Sequence, residues 1–289
     1  MNEPPADLDI AEFLRLVQRS WDASVDELTH LSVGFGAHHW RADVRGSARY
    51  FVTLDGLGER HTVETLRAAY AGAAALARTG LTFVAAPIEP FAVPLEGGAV
   101  SVTPWLDGTP VAVIDTGTTA AMLRQLHAVD LIALGVELPP WQPVVGPDLP
   151  ERLAEWVRHR WAQGPYGERS RAAVVAARDD IGRWTDRYFE LAQVARTRPW
   201  VATHGEPGMQ NQMITASGTV LVDWESLKLA PAERDLRTIE CGDRLMLELF
   251  DLEWRLDEIN QYTAWFAGPH GDTTDDRVAF EDFMHELTR

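Results

Sequence analysis

The chain has 289 residues, 46% of them hydrophobic, enough to bury one two-lobed domain or two small ones. A formal charge of -17 argues against nucleic acid or an anionic membrane as partner, because both demand a basic surface. No apolar run reaches membrane-spanning length, and the single cysteine, Cys241, excludes an intrachain disulfide or a cysteine zinc cluster. The opening MNEPPADLDI lacks the basic and apolar regions of a signal peptide, so the expectation is a cytoplasmic protein.

In chain order, residues 9–20 predict an amphipathic helix with Asp9 and Glu12 spaced as a capping box. Strands are predicted near 28–34, 37–45 and 49–54, the last two joined by the turn-forming RGSA at 45–48. An Ala-rich helix follows over 62–78, ending at Gly80, and then strands near 83–93 and 99–103. From about Trp105 the pattern is helical: 116–130, 150–162, 168–196, 231–249, 252–267 and 275–288. Two short strands near 212–215 and 219–223 interrupt it. The fold class is α+β, with a small sheet carrying one helix (1–104) followed by a mainly helical part (105–289). TPWLDG at 103–108 is the expected boundary.

The chemistry concentrates in two stretches. THGEPGMQN (203–211) is too rich in Gly and Pro for a helix, and VLVDWES (220–226) is a short apolar strand ending in an acid. An acid, an Asn five residues later and a second acid delivered by a hairpin are what phosphoryl transfer from a nucleotide requires. One carboxylate orients the acceptor hydroxyl and takes its proton, while Asn and the second carboxylate hold the magnesium that bridges the phosphates.

H-G-E-x-x-x-x-N followed by V-D-W-E resembles the signature of the aminoglycoside phosphotransferase family, relatives of the protein kinases. LAPAERDL at 229–236 resembles the segment whose Asp braces that family's catalytic loop. LHAVD at 126–130 is similar to its helix after the hinge. The Glu in the loop and the paired HHW look most like the spectinomycin phosphotransferase branch. The resemblance implies a two-lobed kinase-like fold using Mg2+ and ATP or GTP. It implies Glu206 as base, Asn211 and Asp223 as metal ligands, and His204 and Asp235 as loop braces. GFGAHHW at 34–40 falls where the family has its nucleotide-covering loop. This assigns Gly34, Gly36, His38, His39 and Arg41 to the nucleotide, with Thr103 and Trp105 at the join between lobes. Each residue has a plainer alternative: His204 as a satisfied structural histidine, Asn211 as a turn residue, Asp235 as an early-helix acid.

Two departures stand beside these matches. The catalytic acid is Glu where the family usually has Asp. In YFVTLD, Thr53 occupies the place of the phosphate-binding lysine of kinase-like folds, and Ala69 aligns with that lysine's helix Glu. Lys228 is the only lysine in the chain, and it follows the metal-binding Asp. Arg41, or His38 and His39, are the candidates to balance the phosphates in its place; Glu64 is a possible helix acid.

On the acceptor side, Leu252, Leu256 and Ile259 share one helical face, with Glu253 and Asp257 on another. These two acids and Trp254 are the candidates to meet a cationic acceptor, and a solvated face is their alternative. The implied activity is transfer of a phosphoryl group to an aminoglycoside, aminocyclitol or similar cationic metabolite. A housekeeping kinase of choline, a sugar or an amino alcohol, and a silent pseudokinase, are the alternatives.

Overall fold

The computed structural model describes residues 1–5, 7–58 and 60–289. The chain divides into two compact units: Met1–Trp141 with Trp200–Glu240, and Gln142–Pro199 with Cys241–Arg289. The expected lobe boundary at 104/105 falls inside the first unit, to which the chain returns at Trp200.

The first unit is built on a five-stranded antiparallel sheet. Its strands are β1 (Glu27–Leu31), β2 (His38–Val44), β3 (Ser47–Gly56), β4 (Val93–Leu95) and β5 (Gly98–Pro104), in the order β1-β2-β3-β5-β4. The predicted turn between β2 and β3 is present: Arg45 and Gly46 both have positive φ (54° and 73°), as a type I′ hairpin requires.

Strand alternation splits the sheet into two faces. On one face, α1 (Ile10–Ser20) packs Phe13, Leu16 and Val17 against Trp40, Ala42, Val52, Val100 and Val102. Asp9 caps this helix, accepting from the Ala11 and Glu12 N–H groups. On the other face, α2 (Val63–Arg78) brings Leu66, Ala69, Tyr70 and Ala73 against Ala99. Thr53 and Asp55, which alternate with Val52 and Leu54 along β3, therefore belong to the α2 face.

The same unit continues with β6 (Gly108–Pro110), α3 (Thr116–His127) and α4 (Leu131–Leu134). Its returning segment carries β7 (Val201–Thr203), β8 (Gln212–Thr215), β9 (Gly218–Leu221), β10 (Lys228–Ala230) and α8 (Glu233–Leu236). These strands form the order β6-β8-β9 and the pair β10-β7.

The second unit is helical: α5 (Leu149–Trp156), α6 (Gly167–Ala176), α7 (Arg178–Ala195), α9 (Arg244–Ala267) and α10 (Thr274–Thr288). Ile181, Tyr188 and Leu191 of α7, Leu249, Leu256 and Ile259 of α9, and Phe283 of α10 are all buried. The predicted apolar face of Leu252, Leu256 and Ile259 is thus the inward face.

Several predicted elements differ. The strand expected over 83–93 is reduced to a bridge of Val84 with Leu221 and to Val93, where β4 begins; Pro87 and Pro90 cannot donate to a ladder. The single helix expected over 168–196 is two, divided at Ala177. The helices expected over 231–249 and 252–267 are the four-residue α8 and one 24-residue α9. Gly242, at φ 131°, separates them, and Asp243 caps α9 through the N–H groups of Leu245 and Met246.

The attachment of α1 to the sheet rests on Phe13, which meets Trp40 edge-on with ring centroids 4.7 Å apart. Phe13→Ala removes this contact and leaves a cavity, so stability should fall by about 3–5 kcal/mol. Urea titration of the two proteins measures the difference.

Candidate active site

The loop after β7 hangs on one buried carboxylate. Asp235, on α8, accepts from the Gly205 N–H at 2.6 Å, the His204 N–H at 3.1 Å and His127 Nε2 at 2.9 Å. Burial alone raises a carboxyl, yet here these partners, led by the His127 hydrogen bond, hold Asp235 below its ordinary value.

Gly205 is required twice over. Its φ is 103°, and a Cβ there would lie 2.4 Å from the Arg234 guanidinium. Arg234 is itself buried and donates to Thr203 Oγ1 and to the Ser226 carbonyl, both at 3.0 Å.

His204 joins the two halves of the site. Its Nδ1 accepts from the Glu206 N–H at 3.3 Å, and its Nε2 donates to the Val222 carbonyl at 2.9 Å. That pattern demands a neutral ring, and burial lowers its pKa accordingly. The backbone of Glu206 is thereby tied to the residue before Asp223.

Four carboxylates then gather. Asn211 donates its Nδ2 to the Glu206 carbonyl at 2.9 Å and accepts from the Val222 N–H at 3.0 Å. Asp223 is exposed and sits at φ 67°, a conformation uncommon for a residue with a side chain. Burial, then the charge of Asp223, raises the pKa of half-buried Glu206. Burial, then the charge of Asp223, raises Glu225 well above its ordinary value. Asp55 is pushed up to about 7 by burial and by Asp223, partly offset by the hydrogen bond from Tyr70.

This donor set suits a hard divalent cation. Glu225 Oε2 is buried without a hydrogen-bond partner, and Asn211 has its amide nitrogen committed to the loop. Among the described residues no three His, Cys, Asp or Glu side chains are arranged to hold a metal by themselves. An ion that keeps waters and takes phosphate oxygens as ligands needs only one or two protein carboxylates.

The nucleotide side departs from expectation at several points. His38 and His39 lie on opposite faces of β2: His38 sits 6.2 Å from the Trp40 ring on the α1 side, whereas His39 meets Thr53 Oγ1 at 3.2 Å. They therefore cannot converge on one phosphate group. His39 is pulled down to about 4, first by burial, so near neutral pH it offers hydrogen bonds and no charge. Its ring lies under the glycine loop, 2.8 Å from where a Cβ on Gly34 would stand, and Gly34 itself has φ 71°. Gly36 also has positive φ, 90°.

Arg41 is held by the buried carboxylate of Asp43, with its Nη2 donating at 2.8 Å. Thr103 pairs in register with Phe51, whose ring is 6.5 Å from that of Trp105. Ala69 is a core residue; the helix residue that reaches β3 is its neighbour, as Tyr70 Oη donates to Asp55 Oδ2 at 2.9 Å. Glu64 is exposed in the first turn of α2. Lys228 lies opposite Thr203 in the β7–β10 pair. After burial, the charges of Lys228 and Arg60 bring His61 down to about 4.

In the second unit, Glu253 and Asp257 do not together present an exposed acidic face to an acceptor. Glu253 is buried and accepts from Tyr188 Oη at 2.7 Å, because α7 packs across that side of α9. Asp257 and Trp254 are half-buried. A shallow groove of about 410 Å³ along α9 is lined by Arg244, Arg255, Glu248 and Asp251, a mixed rather than acidic set. His127, Arg234, Asp55 and Tyr70 are site residues absent from the sequence reading. LHAVD and APAERDL contain the first two, but nothing in either motif says which side chain turns inward.

Comparison with known proteins gives one consistent answer. Residues 27–269 match the model of the phosphotransferase enzyme family. Protein StrN of Streptomyces griseus is 37% identical over 132 residues, which is 43% of this chain and 38% of that protein, so the match spans well under half of the relative's length. Spectinomycin phosphotransferase APH(9)-Ia, solved with ADP and spectinomycin, superposes with a TM-score of 0.70 at 15% identity, covering 95% of this chain and 93% of the other. A choline/ethanolamine kinase family protein from Mesorhizobium loti gives 0.55 at 14% identity, covering 98% and 95%. At these identities the structures show a shared fold.

The raised Asp55 carboxyl makes stability depend on pH in a definite direction. The folded state keeps its proton between the ordinary value of 3.8 and about 7, while the unfolded chain releases it. Stability from this group is complete below 3.8 and is lost as pH rises to about 7, roughly 4 kcal/mol in all. Asp55→Asn, which still accepts from Tyr70, should show a flatter decline over that window in urea titrations at successive pH values.

Proposed function

The chain belongs to the phosphotransferase enzyme family, and we propose that it moves the γ-phosphate of ATP or GTP to a hydroxyl of an aminoglycoside, aminocyclitol or similar cationic metabolite. The observation that carries this reading is the hydrogen-bonded frame through His204. It ties the backbone of Glu206 to that of Val222 and so sets one carboxylate against another across a loop.

In this reading Glu206 is the base. A carboxyl raised by burial and by Asp223 accepts a proton more readily than an exposed one. It orients the acceptor hydroxyl and takes its proton as the oxygen attacks the γ-phosphorus, and the bond to the nucleoside diphosphate breaks. Asp223 and Asn211 are the residues that would hold Mg2+, with Glu225 beside them. When bound there, the ion would supply positive charge against that of the phosphates. Asn211 serves a second purpose, since its Nδ2 fixes the carbonyl of Glu206.

A cationic acceptor is favoured by the charge of -17 and by the spectinomycin in the complex of APH(9)-Ia. Asp251, Glu240 and Asp243 are exposed acids, whereas Glu253 is buried. No helix among the described residues is long and apolar enough to cross a membrane. A second reading, a silent nucleotide-binding relative, draws on Thr53 in place of the strand lysine.

Label transfer from γ-labelled ATP and GTP to a panel of aminoglycosides, aminocyclitols, choline and simple sugars separates these readings. Transfer to a cationic antibiotic supports the proposal, transfer only to choline or a sugar redirects it, and nucleotide binding without any transfer favours the silent relative. Once an acceptor is known, Glu206→Gln should lower turnover by about 10²–10⁴-fold with nucleotide binding retained. Asp223→Asn should abolish magnesium-dependent nucleotide binding while circular dichroism stays unchanged; unaltered affinity in magnesium would remove Asp223 from the metal site.

A further inference from the structure

The link between β3 and α2 is present in this protein, but it is made by different chemistry. Tyr70 Oη donates to Asp55 Oδ2 at 2.9 Å, and both residues are buried, at 2% and 5% exposure. Asp55 lies two residues beyond Thr53 on the same face of β3, paired in register with Ala99, which shares a core cluster with Tyr70. The Tyr70 ring is wedged in that cluster with Trp224 and Leu227. Trp224 stands between Asp223 and Glu225, so one side chain holds β3 at its hydroxyl and shares its core cluster with a residue of the loop that carries the metal candidates. The charges of Asp55, Glu225 and Asp223 all act on the Tyr70 hydroxyl, after burial.

We propose that Asp55 and Tyr70 are a positioning pair for the triphosphate, holding β3 and α2 in register with the Asp223–Glu225 loop. A neutral donor explains why the position tolerates Thr53 and Ala69 without a stranded charge: no ammonium waits for a partner that α2 lacks. The pair supplies no positive charge. Its contribution is distance, because a shift of β3 must move Tyr70 and, through the shared core, Trp224. This rests on the phosphotransferase reading above.

The test is equilibrium binding of ATP and GTP with magnesium, alongside adenosine and guanosine, so that no acceptor is needed. Tyr70→Phe keeps the ring in the core and removes only the donor. Asp55→Val removes the acceptor, and Asp55→Asn keeps it. Tyr70→Phe and Asp55→Val should each weaken triphosphate binding about tenfold or more with nucleoside affinity unchanged, and Asp55→Asn should restore most of that loss relative to Asp55→Val. The double variant Tyr70→Phe/Asp55→Val should cost no more than either single change, since both remove one link. Additive losses, equal losses for nucleoside and triphosphate, or a silent Tyr70→Phe would overturn the pair. So would failure of Asp55→Asn to rescue. A wild-type protein that binds no magnesium triphosphate overturns the phosphotransferase reading and the pair together, an outcome distinct from all the others.

Discussion

A carboxylate removed from water must find hydrogen-bond donors or give up its charge, and Asp235 finds three. Its acceptance from two successive backbone N–H groups and from His127 fixes the path of the chain at His204 and Gly205. Everything nearer the chemistry inherits its position from that anchor. His204 is placed to bridge Glu206 and Val222, and the loop folds back until Asn211 can clasp the Glu206 carbonyl. The anchor also explains Gly205, whose left-handed backbone lets the loop lie against the Arg234 guanidinium where no side chain would fit.

The second constraint is electrostatic. Asp55, Glu206, Asp223 and Glu225 act on one another, and burial drives three of them toward their protonated forms. Such a cluster is costly in the absence of a cation and inexpensive in its presence. Of the four, Asp223 alone is exposed, and it is held in a left-handed conformation. Local strain at that residue fits a position where ligand contact, rather than packing, decides the geometry.

Much of this was legible in the sequence. The order H-G-E-x-x-x-x-N, V-D-W-E and APAERDL marks the loop after β7, the acid after β9 and an Asp on α8, because each motif is a short local run whose spacing survives folding; the burial of Asp235 is seen only in the fold. The sheet and α2 were legible from period-2 alternation and the Ala-rich helix ending at Gly80. What was hidden depends on partners distant in sequence. Glu253 reads as a surface acid until Tyr188, 65 residues away, is seen to donate to it. His38 and His39 read as a pair until strand alternation sends them to opposite faces. β6, β7 and β10 have three residues each, too few for any periodicity to show.

The absent strand lysine shows how a charge can be redistributed when its usual carrier is lost. Arg41 is occupied by Asp43, and His39 is neutral near physiological pH, so neither provides a ready positive charge beside Thr53 on β3. The positive charges that do reach Glu206 come from Arg60, Arg237 and Arg234. Arg60 stands on the connection between β3 and α2; the other two flank Asp235. Arg234 is buried and donates to both Thr203 and the Ser226 carbonyl, so its charge cannot wander from the loop. A guanidinium keeps its charge where a buried ammonium shifts its pKa readily. A chain whose Lys and Arg positions are Arg in every case but Lys228 therefore holds permanent charge beside Glu206 while leaving β3 to a hydroxyl and a carboxyl. The fixed charge thus comes from Arg234 of α8, Arg237 just after it and Arg60, while β3 and α2 meet through a tyrosine hydroxyl on a carboxyl.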